Sequence, residues 1–432
     1  MSPRQKRAMP KEQIVAAVAA EQSAIEQLLI DLVQVPTLLG SERAGQEIMR
    51  AAFADLGLEP REVPLDADAL RTHAGASPFS WDVGGKANVV ADWVPTHPAR
   101  PSQPGGGRSL ILNGHIDVVD PGPPDMWASP PFVARRDGDW LYGRGAGDMK
   151  AGLAAIVGAV RGLRRLGLEP VAKIELQSVV EEECTGNGAF QCVLAGRPAD
   201  AAIVTEPTSL TVQTSQVGVL WFQVIVRGRP AHAGDSPIGL NAIEGSFPVI
   251  SALRALEAEL NVAPPPPYDV YEHPINLNVG MIRGGDWPST VAAESVLHCR
   301  LALYPGAAVD ELKTTIEATV ASASAGLGRF EARVAYDGFA CEGYTLAAES
   351  ALVAALGHAS DQVIGARPAL IASTATTDAR SFALYAGTPA VCFGPHAESI
   401  HGIDERVSLQ SVLQTAQTLA LFIEGWCGLA RR

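Results

Sequence analysis

The chain has 432 residues, 47% hydrophobic and 19% charged, with a formal net charge of -14. That length exceeds what one core ordinarily holds, so two domains are expected, and the acidic balance argues against nucleic acid or an anionic membrane as a partner. No apolar run approaches the roughly 18 residues of a membrane span, and the basic start MSPRQKRAMPKEQIV leads into a charged helix rather than an apolar signal core, so a cytoplasmic, folded protein is expected.

Helical spacing marks EQSAIEQLLIDLVQV, which stops before Pro36, and SERAGQEIMRAAFADLGLE, opened by Ser41. ANVVADWV and SLILNGHIDVVD read as strands on either side of the Pro/Gly-rich connection PTHPARPSQPGGGR. The helix MKAGLAAIVGAVRGLRRLG, the strand AKIELQSVV, the helix GAFQCVLAG and the strand ADAAIVTE follow. This alternation predicts an α/β domain built on a mostly parallel sheet. From Gln213 the texture changes, and VGVLWFQVIVRG alternates as a one-sided strand does. A helix over Asn241 to Glu259, the strands INLNVGMIRGG and STVAAESVLHCRLALYP, a helix from Val309 and the strand RFEARVAYDGF complete a β-α-β-β-α-β run, the order of a ferredoxin-like α+β domain. A helix near 346 to 364, the strand TPAVCFGP and a helix from Ser408 resume the first rhythm. The expected division is 1–212 and 339–432 for a split α/β domain, with 213–338 inserted. Cys184, Cys192, Cys299, Cys341, Cys392 and Cys427 lack CxxC spacing and read as reduced thiols.

Open α/β sheets place their sites beyond the carboxyl ends of their strands. There this sequence sets His115 and Asp117, the triplet Glu181, Glu182 and Glu183, and Glu206, with Asp148 in a glycine-rich loop at a helix start and His396 and His401 after the last strand. Each has a plainer reading: His115 a core histidine, Asp148 a helix cap, Glu206 a turn residue, the triplet a solvated turn. Together, two histidines and three carboxylates suit a pair of zinc-like ions, with Asp117 holding the second nitrogen of His115. One glutamate of the triplet would then bind metal and another handle protons.

The segments GHIDVVDPG, LYGRGAGDMKAG, EEECTGNGA, TEPT, GRPAHAGDSPIGLNAIE, TTDARSF and HGIDERV resemble, in order and spacing, the di-zinc amidohydrolase family of acetylornithine deacetylase, succinyl-diaminopimelate desuccinylase, aminoacylase and carboxypeptidase G. The resemblance covers nearly the whole chain. It implies a catalytic domain with a ferredoxin-like lid that also forms a homodimer. It further implies two divalent ions, zinc or else cobalt or manganese: His115 and Glu206 on one, Glu183 and His401 on the other, Asp148 bridging. On the same resemblance Asp117 would orient His115, Glu182 would be the general base, the Asp148-Met149 bond is a candidate for a cis peptide, and His232 would reach the other subunit's site to bind an oxyanion. Glu181 stands where relatives usually carry Asp, and the distance from Glu183 to Gly188 sets the register.

The implied reaction is hydrolysis of a small N-acyl amine or amino acid (acetyl, formyl or succinyl) by a metal-bridging hydroxide that forms as Glu182 takes its proton. Ser289 and Ala302 occupy positions where relatives gripping a substrate carboxylate carry Asn and Arg. Arg300 or Arg380 is the alternative grip, each with a structural role as its plainer reading. If neither serves, the substrate lacks an α-carboxylate, as an acylated heterocyclic amine does, and Trp287 is a stacking surface. A dipeptidase or carboxypeptidase of the same family is the rival activity, and a non-catalytic metal-binding relative the rival from another class. Glu206 leans against a peptidase, since many peptidase relatives carry Asp there.

Overall fold

The computed structural model describes residues 10–96, 107–325 and 330–431. The basic start and most of the Pro/Gly-rich connection lie outside them. The large sheet runs Arg61–Pro64, Ala87–Trp93, Ile174–Val179, Leu110–His115, Ala202–Val204, Ala390–Cys392, Val212–Gln216, Tyr344–Thr345, with Leu370–Ser373 beside Val212–Gln216. Its centre is parallel, from Ile174–Val179 across to Ala390–Cys392. Both flanks turn antiparallel: Arg61–Pro64 and Ala87–Trp93 on one side, Val212–Gln216 and Tyr344–Thr345 on the other. The sheet is therefore mixed, which corrects the mostly parallel expectation. Apolar runs report burial on both faces but not strand direction, and Ala87–Trp93 is as apolar as its parallel neighbours.

The helices Ala151–Arg165 and Leu409–Cys427 pack together against the sheet, and small residues permit their approach. A Cβ on Gly152 would lie 2.1 Å from the Thr205 carbonyl oxygen, so only glycine fits where this helix passes the Ala202–Val204 strand. Helix ends fall inside the expected ones: Gln22–Val33, Arg43–Asp55 without a side-chain cap from Ser41, and Ala351–Ile364 capped by Ser350. The six cysteines are free and buried. Among the described residues no helix is long and apolar enough to cross a membrane.

A second sheet runs Leu277–Gly284, Glu294–Leu303, Gly218–Arg227, Glu331–Ala335, antiparallel throughout, with Ala340–Cys341 added to the third strand. Helices Ala242–Leu260 and Val309–Ala325 cover one face and share a core with Leu220, Phe222, Val224, Leu297 and Leu301. Residues 213–216 pair in the large sheet rather than in this one.

Candidate metal centre

The four parallel strands end on one rim, and the loops leaving that rim carry the ionisable residues. His115 closes its strand, buried, with Nδ1 donating to the Asp117 carbonyl at 2.9 Å and Nε2 at 3.1 Å from Asp148 Oδ1. Nε2 is also 3.9 Å from Glu206 Oε1 and 3.9 Å from Glu182 Oε2. The other oxygen of Asp148, Oδ2, lies 3.3 Å from His401 Nε2, which is 3.0 Å from Glu183 Oε2. Asp148 thus offers one oxygen to each histidine, the disposition of a bridging carboxylate. One ligand atom each from His115, Asp148 and Glu183 falls within 4.8 Å of the others.

The triplet is divided by its partners. Glu181, at φ +62°, turns inward and is fully buried, accepting from Lys86 Nζ at 2.8 Å, Trp81 Nε1 at 2.8 Å and Thr185 Oγ1 at 2.9 Å. Lys86 also bonds buried Glu42 at 2.9 Å. Glu182 and Glu183 are left facing the cleft. Asp117 fixes that backbone: its carboxylate accepts from the Glu182 amide at 3.2 Å and the Glu183 amide at 3.0 Å, and is 3.7 Å from His115 Nδ1. Its carbonyl, rather than its carboxylate, makes the close contact to the imidazole.

Asp148 sits in an irregular turn, Ala146–Lys150, and its bond to Met149 is cis. Glu405 holds this turn, accepting from the amides of Gly145 at 3.1 Å, Gly147 at 2.9 Å and Asp148 at 3.0 Å. Glu405 also pairs with buried Arg144, whose Nη2 donates to the Gly402 carbonyl at 3.1 Å. The pair therefore ties the Asp148 turn to the His401 loop. Its sequence signal was an acid four positions after His401 and an arginine four before Asp148, neither adjacent in sequence to the other.

The charges press on one another. Burial opposes the ionised form of Asp148, but hydrogen bonds to His115 and His401 hold it well below the carboxylate range. Burial pushes Glu182 and Glu206 well up, and the neighbouring carboxylates add to the rise. Burial with the charge of Glu183 lifts Asp117 to about 7. Burial opposes a proton on His401, yet Glu183 and Asp148 raise it to about 11. A buried group this rich in carboxylates is suited to cations, and its donors, imidazole and carboxylate, fit zinc-like ions.

A cleft of about 490 Å³ opens on this cluster, bounded by Glu182, Glu183, His401, Arg300, Trp221 and Phe339. Arg300 borders it, donating to the carbonyls of Asn276 at 3.5 Å and Thr374 at 3.3 Å. Arg380 is fully buried, with Nη2 donating to the Thr185 carbonyl at 2.8 Å behind the triplet, and is outside the lining. Trp287 is 69% exposed and also outside the lining. His232 is exposed, its Nδ1 accepting from the Gly234 amide at 3.0 Å.

Comparison with known proteins bears on this arrangement. The model of the peptidase family M20/M25/M40 matches residues 111–425, most of the chain, including every residue of the cluster. The chain belongs to that family. It is a hydrolase of linear amides. It is 30% identical over 389 residues to N-formyl-4-amino-5-aminomethyl-2-methylpyrimidine deformylase of Halalkalibacterium halodurans, spanning 84% of this chain and 89% of that one. It is 27% identical over 411 residues to succinyl-diaminopimelate desuccinylase of Maricaulis maris, spanning 91% and 94%. A di-peptidase from Saccharomyces cerevisiae shares the fold, with a TM-score of 0.78 at 14% identity over 96% of this chain and 98% of that one.

Proposed function

We propose that the protein is a metal-dependent deacylase that releases a small acyl group (formyl, acetyl or succinyl) from an amine or amino acid. The observation that carries the reading is Asp148 presenting one oxygen to His115 and the other to His401, with Glu182 beside them at the cleft. His115 and Glu206 would hold one divalent ion and Glu183 and His401 the other, with zinc as the assignment. Such a pair supplies Lewis acidity and lowers the pKa of water. Glu182 is the residue that takes the proton from the attacking water and returns it to the departing amine. Burial and the neighbouring carboxylates raise its affinity for a proton, which suits a carboxylate that takes up a proton and passes it on. Asp117 positions Glu182 and Glu183 through their amides, and Glu405 positions Asp148.

The division into 1–212 with 339–432 and an inserted 213–338 accompanies this reading, except that 213–216 stay with the large sheet and Ala340–Cys341 join the second, the insert acting as a ferredoxin-like lid. Its exposed apolar side chains, Ile238, Phe247 and Trp287 among them, support a homodimer through that unit. In such a dimer His232 would serve the other subunit's site. A cytoplasmic location completes the assignment.

The test is hydrolysis of N-formyl, N-acetyl and N-succinyl amines and amino acids, beside dipeptides, by zinc-loaded protein. Turnover of an acyl amine is expected. Turnover of dipeptides alone would replace this reading with a peptidase.

A further inference from the structure

The lid sheet has one face under helices and one toward the cleft. Leu220, Phe222 and Val224 belong to the helix-covered core, so their alternates Trp221 and Gln223 point to the other face. Register then places Trp221 beside Arg300, and Arg300 beside Asn278, as a row across three strands. Trp221 makes an edge-to-face pair with Phe339, ring centroids 5.4 Å apart at 78°.

The segment Asp337 to Phe339 is built against this indole. Gly338 has φ +90°, and a Cβ there would lie 2.4 Å from Trp221 Cε3, so only glycine lets the backbone rest on the ring. The Trp221 amide donates to the Phe339 carbonyl at 2.7 Å, and the Gly338 amide to the Pro78 carbonyl at 2.9 Å. Asp337 borders the cleft with one oxygen, Oδ2, accepting from Ser80 Oγ at 2.6 Å. Across the cleft lining, Arg300 has no carboxylate among its described partners. An aromatic wall, a fixed acceptor and a cationic donor therefore share one cavity of about 490 Å³.

We propose that this face selects the amine half of the substrate as a flat heteroaromatic ring bearing an amino group. The ring packs on Trp221 and Phe339, its amino group donates to Asp337, and a ring nitrogen accepts from Arg300. Trp221, Asp337 and Arg300 are thus specificity-determining residues. The inference rests on the deacylase reading, but its binding half can be measured without turnover.

The experiment compares N-formyl derivatives of an aminomethyl-aminopyridine, benzylamine and butylamine with N-formyl-leucine, on the zinc-loaded protein and on Asp337→Asn and Trp221→Leu. In parallel, calorimetry measures binding of the free aminomethyl-aminopyridine and of butylamine. The aminopyridine derivative is expected to have the highest kcat/KM, and the free aminopyridine to bind at least about tenfold tighter than butylamine. In Asp337→Asn the preference for aminopyridine over benzyl should fall about ten- to hundredfold, mainly through KM. In Trp221→Leu the preference for benzyl over butyl should fall, and the circular dichroism spectrum shows whether either variant is folded. Equal turnover of all the amines, or a preference for N-formyl-leucine, overturns the inference and leaves the deacylase reading standing. If no amide is cleaved while the aminopyridine still binds selectively, the reaction assignment fails and the recognition face stands.

Discussion

Three adjacent glutamates occupy three different environments, and their partners decide the difference. Glu181 is neutralised by Lys86, which it meets across 95 positions of sequence, while Glu182 and Glu183 remain at the cleft. Replacing Lys86 by Met leaves Glu181 and Glu42 buried without their cation, and a stability loss of about 3–5 kcal/mol is expected in urea unfolding. Glu405 is a second residue that acts through others. Its replacement by Ala should weaken zinc binding by about 10–100-fold, read by competition with a chromophoric chelator, because the Asp148 turn loses its three amide contacts. The expected ligands were legible in sequence because each follows an apolar strand or a glycine loop. Lys86 and Glu405 were not, because nothing local to a lysine or a glutamate reveals a partner 95 or 261 positions away.

At the scale of elements, the rim of the sheet depends on how tightly its strands hand over to the next helix. After Ile174–Val179 the chain folds back so closely that a Cβ on Gly188 would lie 1.9 Å from the Val180 carbonyl oxygen. Gly188→Ala should therefore destabilise the fold by about 1–3 kcal/mol in thermal unfolding, with loss of activity as the helix Asn187–Ala195 shifts. Periodicity located most elements, and the β-α-β-β-α-β order of the second sheet follows the alternation read from VGVLWFQVIVRG onward. Strand direction was the part that could not be read. Ala87–Trp93 has the burial of a central strand, but it runs antiparallel to Ile174–Val179 because direction is fixed by the path of the connection.

At the scale of the whole molecule, loops at one rim of the large sheet bring the proposed ligands together, and residues of the second sheet share the lining of the cleft beside them. This concentrates buried carboxylates in one place, and burial raises Glu182 and Glu206 well above their ordinary range. In the metal-free protein burial thus favours the protonated form of these groups, and cations entering the cluster favour the ionised form. Zinc titration of chelator-treated protein should release protons, visible as a binding heat that changes with the ionisation enthalpy of the buffer. A heat independent of buffer would mean that the cluster is already ionised. Chelation should also lower the melting temperature, since ions that bind only the folded state stabilise it.

The division of labour inside the triplet is most directly tested by measuring zinc content and turnover together in Glu182→Ala and Glu183→Ala. Glu182→Ala is expected to retain its zinc and lose at least about 10²–10⁴-fold in kcat, whereas Glu183→Ala loses zinc along with activity. Loss of zinc from Glu182→Ala, with Glu183→Ala still loaded, would contradict the assignment of base and ligand.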